Sequence, residues 1–174
     1  VLLSVIDLVA FLCLAVQFVI AGYFLYLVYW SIELPPADSA LPALPDELPN
    51  LAQAGFFGGW SLYMKGGRAH HVYNFGGLEW TTVSSPDALA PGRHTVQYEF
   101  VYDGGKPGSG GKSVLRVDGA QVGEAHVPKT MPFVYSADEG VDVGMDNETP
   151  VTGEYREHDN KFTGRIRKVT VELK

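Results

Sequence analysis

Cysteine is nearly absent: Cys13 is the only one in 174 residues, so neither a disulfide framework nor a cysteine-based metal site can be built. Lys and Arg are missing from residues 1–56, whose only charges are Asp7, Glu33, Asp38, Asp46 and Glu47; all 13 bases and the other 15 acids follow. A net charge of −7 with no basic cluster lacks the electrostatic footprint of a nucleic-acid binder. Helical periodicity is also missing beyond Phe56, where no 15-residue window carries it.

What the first third does contain is hydrocarbon. From Val1 to Trp30 the strongly polar side chains are Asp7 and Gln17, with Ser4 a minor addition. Leu8 to Leu27 is 20 residues, and a helix of that length spans roughly 30 Å, the thickness of a bilayer core. Tyr23, Tyr26, Tyr29 and Trp30 follow at the depth of an aromatic interfacial belt. The expectation is a transmembrane helix over 1–32, retained as an anchor. For a cleaved signal peptide the run is too long, and it lacks a basic leader and a small-residue cleavage site. Gln17 lies near mid-membrane, where an amide seeks a partner on an adjacent helix; Asp7 sits about one turn from the start, at the interface or against a neighbouring subunit. No histidine in this stretch offers an axial ligand to a haem or chlorophyll metal. With no Lys or Arg at either end, orientation rests on the acidic segment that follows, which favours the N-terminus inside and the remainder outside, in the bacterial case the periplasm.

Residues 33–56 read as a Pro-rich acidic linker, with Pro35, Pro36, Pro42, Pro45 and Pro49 disfavouring helix and sheet alike. It is either a spacer or a strap along a partner surface. Residues 57–174 read as a β-sandwich. Gly58–Met64, Ala69–Phe75 and Leu78–Val83 are expected strands separated by Gly-Gly turns. Arg93–Tyr102 alternates, with Thr95, Gln97 and Glu99 on one side and Val96, Tyr98 and Phe100 on the other. Asp118-Gly119 is a tight hairpin turn between Ser113–Val117 and Val122–Val127. Phe133–Ser136, Val141–Val143 and Phe162–Leu173 complete the strands. The fold class is all-β, a jelly-roll-like sandwich preceded by one transmembrane helix.

The runs GGWSLYMKGGRAHHVYNFGGLEW, PGRHTVQYEFVYDGGKPGSGGKSVLRVDGAQVGEAHVPKTMPF, DVGMDNETPV and FTGRIRKVTVEL carry a resemblance. Residues 57–174 are similar to the C-terminal accessory domain of bacterial arylsulfatases, itself of the concanavalin and laminin-G-like jelly-roll kind. The resemblance implies a fold. The sulfatase nucleophile motif, Cys/Ser-x-Pro-x-Arg, does not occur in these residues, so no sulfatase activity comes with it.

Candidate chemistry is sparse. Gly104–Lys112 lacks the phosphate-loop spacing and leads into a strand, which makes it a hairpin connection. His70 and His71 are adjacent in a strand, so their side chains point to opposite faces and cannot chelate together. The acidic stretch around Asp142, Asp146 and Glu148 supplies the hard oxygen ligands that suit Ca²⁺, against the plainer reading of a solvated loop. No catalytic residue and no cofactor-binding residue can be assigned, and the chain is expected not to be an enzyme.

Two functions remain open. One is an accessory subunit of a larger membrane complex, such as a photosynthetic or respiratory one, its helix packed against other transmembrane subunits. The other is a membrane-tethered glycan-binding module, with calcium as the candidate cofactor.

Overall fold

The computed structural model describes residues 26–34, 47–132 and 139–173. They form ten strands: β1 (Tyr26–Leu34), β2 (Glu47–Gly55), β3 (Gly58–Lys65), β4 (Arg68–Phe75), β5 (Glu79–Ser84), β6 (Gly92–Tyr102), β7 (Ser109–Val117), β8 (Ala120–Lys129), β9 (Val141–Val143) and β10 (Arg165–Leu173). Two five-stranded sheets result, sheet A in the order β10-β1-β6-β7-β8 and sheet B in the order β5-β4-β3-β2-β9. The named pairings are all antiparallel. No helix among the described residues is long and apolar enough to cross a membrane.

Alternation fixes which side of each strand is buried. Trp60, Leu62 and Met64 of β3, Ala69 and Tyr73 of β4, and Val83 of β5 meet Val96 and Tyr98 of β6, Leu115 of β7 and Val127 of β8 to form the core between the sheets. The expected split along β6 is observed: Val96 and Tyr98 are buried, while Thr95 is exposed and Gln97 and Glu99 are partly so. At the Asp118-Gly119 turn both residues take positive φ, 51° and 84°, the twist that a two-residue hairpin requires.

Two expectations need correction. Residues 26–32 were assigned to the end of a helix, with Tyr26, Tyr29 and Trp30 as interfacial aromatics. They lie instead in β1, an interior strand paired with β6 on one side and β10 on the other. Tyr26–Trp30 is an unbroken apolar run, which periodicity alone cannot tell from part of a helix. Residues 47–55, assigned to the linker, form β2, paired with β3. Pro49 is tolerated there because it adjoins a register shift, and because β9 reaches only Leu51–Gln53. Among the described residues no strand pairs with Pro49 on the β9 side, and proline is at home at such strand positions. Residues 1–25, with Asp7, Gln17 and Tyr23, lie outside the described residues, as do 35–46 and Phe133–Ser136.

The strands set the two ends of the sandwich. The β3–β4 turn, the β5–β6 connection and the β7–β8 turn share one end, tied by the Leu89 N–H to the Gly67 carbonyl at 2.8 Å and the Asp118 N–H to the Thr95 carbonyl at 2.8 Å. The β2–β3 and β4–β5 turns and the β6–β7 connection share the other. There Lys129 pairs with Glu79 at 2.9 Å, and the Met131 N–H donates to the Tyr73 hydroxyl at 2.8 Å. Tyr26, opposite Phe100 and Leu173, starts β1 at this second end.

Gly111 of β7 has its Cα against the Phe100 ring and the Val101 carbonyl of β6, leaving no room for a methyl group. Gly111→Ala is expected to cost about 1–3 kcal/mol through overpacking. Urea unfolding checks this; an unchanged midpoint would contradict the pairing of β6 with β7.

Candidate functional site

The outer face of sheet B is closed. Ala52, Tyr63 and Val72 point away from the main core and are covered by Val151 and Tyr155 of the segment between β9 and β10. Polar groups lock that cover down. Asp146, 2% exposed, accepts from the Tyr155 hydroxyl at 2.7 Å and the Val151 N–H at 3.2 Å. The fully buried Asn160 accepts from the Asp146 N–H at 3.0 Å and donates to the Asp146 and Arg156 carbonyls at 2.9 and 2.8 Å. Asn74 of β4, also fully buried, donates to the Val151 carbonyl at 2.9 Å and the Phe56 carbonyl at 2.8 Å, and accepts from the Gly77 N–H at 2.8 Å.

Asp146 lies at the centre of this arrangement. It is the acceptor that holds the cover. Burial raises its pKa above the usual carboxylate value, the charges of Asp142 and Glu139 add to that rise, and the bonds from Tyr155 and Val151 oppose it. Asp142 accepts the Asn147 N–H at 2.8 Å, and Glu148 is exposed. Among the described residues no group of three or more His, Cys, Asp or Glu that could hold a metal ion occurs.

The two histidines do point to opposite faces. His70 lies on the covered side, stacked on Tyr63 at 5.1 Å between ring centroids, its Nδ1 sharing a hydrogen bond of 2.6 Å with the Ser84 hydroxyl. His71 lies in the main core, 3.4 Å from Tyr98 and 6.0 Å from Trp60. Its Nε2 has no hydrogen-bond partner, and burial pushes its pKa down to about 3. His71 is a neutral core aromatic.

The outer face of sheet A is different. On β6, β7 and β8 it presents Gln97, Glu99, Lys112, Arg116, Gln121 and Glu124, all exposed or partly so. Their contacts run within the sheet: Arg116 to Glu99 at 3.7 Å, Lys112 to Glu124 at 3.0 Å, and the Gln121 amide to Glu124 at 2.9 Å. On the β1 side, Tyr29 stands opposite Gln97 in register and Leu27 opposite Glu99. Such a surface offers paired donors and acceptors, the complement of a polyhydroxylated or sulfated ligand. Spacing gave no notice of it, because each residue alone reads as an ordinary solvated position.

The third feature is apolar. Phe56 and Phe57, at 48% and 73% exposure in the β2–β3 turn, lie beside Leu78, at 80%, and Trp80, at 41%. The Phe56 and Phe57 rings meet edge to face at 5.5 Å, and Phe56 and Trp80 are 6.5 Å apart.

Neither a family profile nor a curated protein sequence matches the chain. Solved structures do. Domains LG4-5 of the mouse laminin α1 chain superpose with a TM-score of 0.53 at 18% identity, over 88% of this chain and 40% of that one. The LG1-3 region of the laminin α2 chain gives 0.53 at 12% identity, over 84% and 26%. The fold is a jelly-roll-like β-sandwich. The chain spans less than half of either laminin structure, and at these identities the likeness concerns the fold alone.

Asp146→Ala strands the Tyr155 hydroxyl and the Val151 N–H in a buried site and is expected to cost about 1–3 kcal/mol, equally with calcium and with chelator. Glu148→Ala leaves stability unchanged. A calcium-dependent melting temperature in the wild type, abolished by Asp146→Ala, would contradict this assignment.

His71 gives a pH dependence with a definite sign. Its folded pKa, about 3, lies below the unfolded 6.5, so its contribution to stability is complete above pH 6.5 and is lost as pH falls toward 3. His94 acts oppositely. Burial alone would lower its pKa, but hydrogen bonds to Asp118 and the Ala90 carbonyl, with the Asp118 charge, raise it. Its contribution is complete below 6.5 and fades as pH rises. The comparison with His71→Phe isolates the first effect: between pH 7 and 4 the melting temperature of the variant should fall less than that of the wild type, and parallel curves would contradict it.

Proposed function

We propose that this chain is a non-catalytic recognition module, tethered to a membrane by residues 1–25, that binds glycan or sulfated polysaccharide on the outer face of sheet A. The observation that carries the reading is the asymmetry of the two faces: sheet B is sealed by residues 144–163, while sheet A presents its hydrogen-bonding side chains to solvent. A planar guanidinium donates to a sulfate or to vicinal hydroxyls in a bidentate manner, a carboxylate accepts from vicinal hydroxyls, and Arg116, Glu99 and Gln97 offer that chemistry on neighbouring strands. Lys112 adds a point charge for a sulfate.

The tether remains long enough after β1 is removed from it, since Leu8 to Phe24 is apolar apart from Gln17. In the bacterial setting it lies in the cytoplasmic membrane, N-terminus inside and domain in the periplasm. Glycan recognition is preferred to an accessory-subunit role, whose residues Asp7 and Gln17 lie outside the described part.

The test is a glycan array probed with the full chain in nanodiscs, followed by calorimetry on the strongest ligand. Binding should be at least about tenfold weaker for Arg116→Ala, as the loss of a charged hydrogen bond implies, with melting unchanged and no response to chelator. A silent array that includes sulfated polysaccharides would overturn the reading.

A further inference from the structure

The exposed apolar side chains are not scattered. Among the described residues nine large hydrophobic side chains are exposed, and none of them belongs to the turns at the β3–β4 end of the sandwich. Phe56, Phe57 and Leu78 occupy the turns of the opposite end, and Val141, Val101 and Leu173 approach it from their strands. Phe56, Phe57 and Trp80 are in ring contact, and an exposed apolar cluster on a rigid frame marks an interaction site.

The frame is rigid by construction. The buried Asn74 holds both turns: its amide donates to the Gly55 carbonyl at 3.3 Å and the Phe56 carbonyl at 2.8 Å, while its oxygen accepts the Gly77 N–H at 2.8 Å. The Phe56 N–H donates to the Thr149 hydroxyl at 3.1 Å, and the Trp80 indole donates to the Val151 carbonyl at 3.1 Å. With their backbone groups tied inward, the turns present apolar side chains outward.

The occupant follows from where the chain enters. Residues 1–25 carry one charge, Asp7, and join the domain at Tyr26, which starts β1 at this same end. We propose that the Phe56–Phe57–Leu78 rim docks into the headgroup and acyl boundary of the bilayer that holds residues 1–25, with Trp80 at the headgroup level; this rests on the tether proposed above. Aromatic side chains are enriched at that boundary. Docked this way, the strands rise from the membrane surface, and the outer face of sheet A stands upright and open to ligand from the side.

Spin labels test it. On a Cys13→Ala background, the full chain carrying Phe57→Cys, Leu78→Cys or, at the opposite end, Ala120→Cys is labelled and reconstituted in phosphatidylcholine vesicles. Thermal melting confirms folding of each variant. Labels at 57 and 78 should be reached by oxygen and be several-fold less accessible to an aqueous nickel chelate than the label at 120. Vesicle-bound protein with equal nickel access at all three positions overturns the docking and leaves the tether standing. Nickel shielding at 57 and 78 that persists without lipid also overturns it, because the occupant is then protein, either a second copy or residues 1–25. Failure to float with vesicles removes the tether and the docking together.

Discussion

The pairing of β1 between β6 and β10 is the constraint on which the molecule turns. Without Tyr26–Leu34 in the middle of sheet A, β10 would have no neighbour and β6 would become an edge with unpaired backbone groups. The same pairing fixes where the preceding apolar residues meet the domain. It brings them to one end of the sandwich, the end of the β2–β3 and β4–β5 turns.

The two faces of the sandwich are handled by different physics. Over sheet B a second apolar cluster is closed by a segment without regular structure, which must still satisfy its backbone. Asp146, Asn160 and Asn74 do so, each making several bonds that no strand ladder supplies. Over sheet A no such device occurs among the described residues, and the face is polar along β6, β7 and β8. The open polar sheet is the face on which the proposed recognition rests, and the apolar rim the one on which the proposed docking rests.

Much of the sandwich was legible in the sequence. From Gly58 to Val127 and at Val141–Val143, strict alternation and glycine-marked turns placed the strands within a few residues. β1 was hidden because Tyr26–Trp30 is apolar without a break, so it merges with the hydrophobic residues before it. β2 was hidden by proline: Pro49 counts against a strand unless the register shift and the short reach of β9 are known. The closure of sheet B was invisible because it depends on contacts such as Asn74 to Val151, 77 residues apart. The one available signal was Asn74 itself, a residue depleted in strands and therefore in need of a reason. For the same cause Asp146 read as one acid among several, although its Tyr155 partner makes it structural. The placement of His70 and His71 on opposite faces followed from strand geometry, while the depth of His71 did not.

The most direct test of the account is the backbone conformation of Tyr26–Glu33 in the full chain embedded in lipid. Carbon chemical shifts from magnetic-resonance spectra of nanodisc samples should be strand-like through these residues, with a cross-strand contact from Tyr29 to Gln97. A helical shift pattern continuing without a break through Ile32 would contradict it, and the sheet order, the entry point of the tether and the orientation of the domain would fall together.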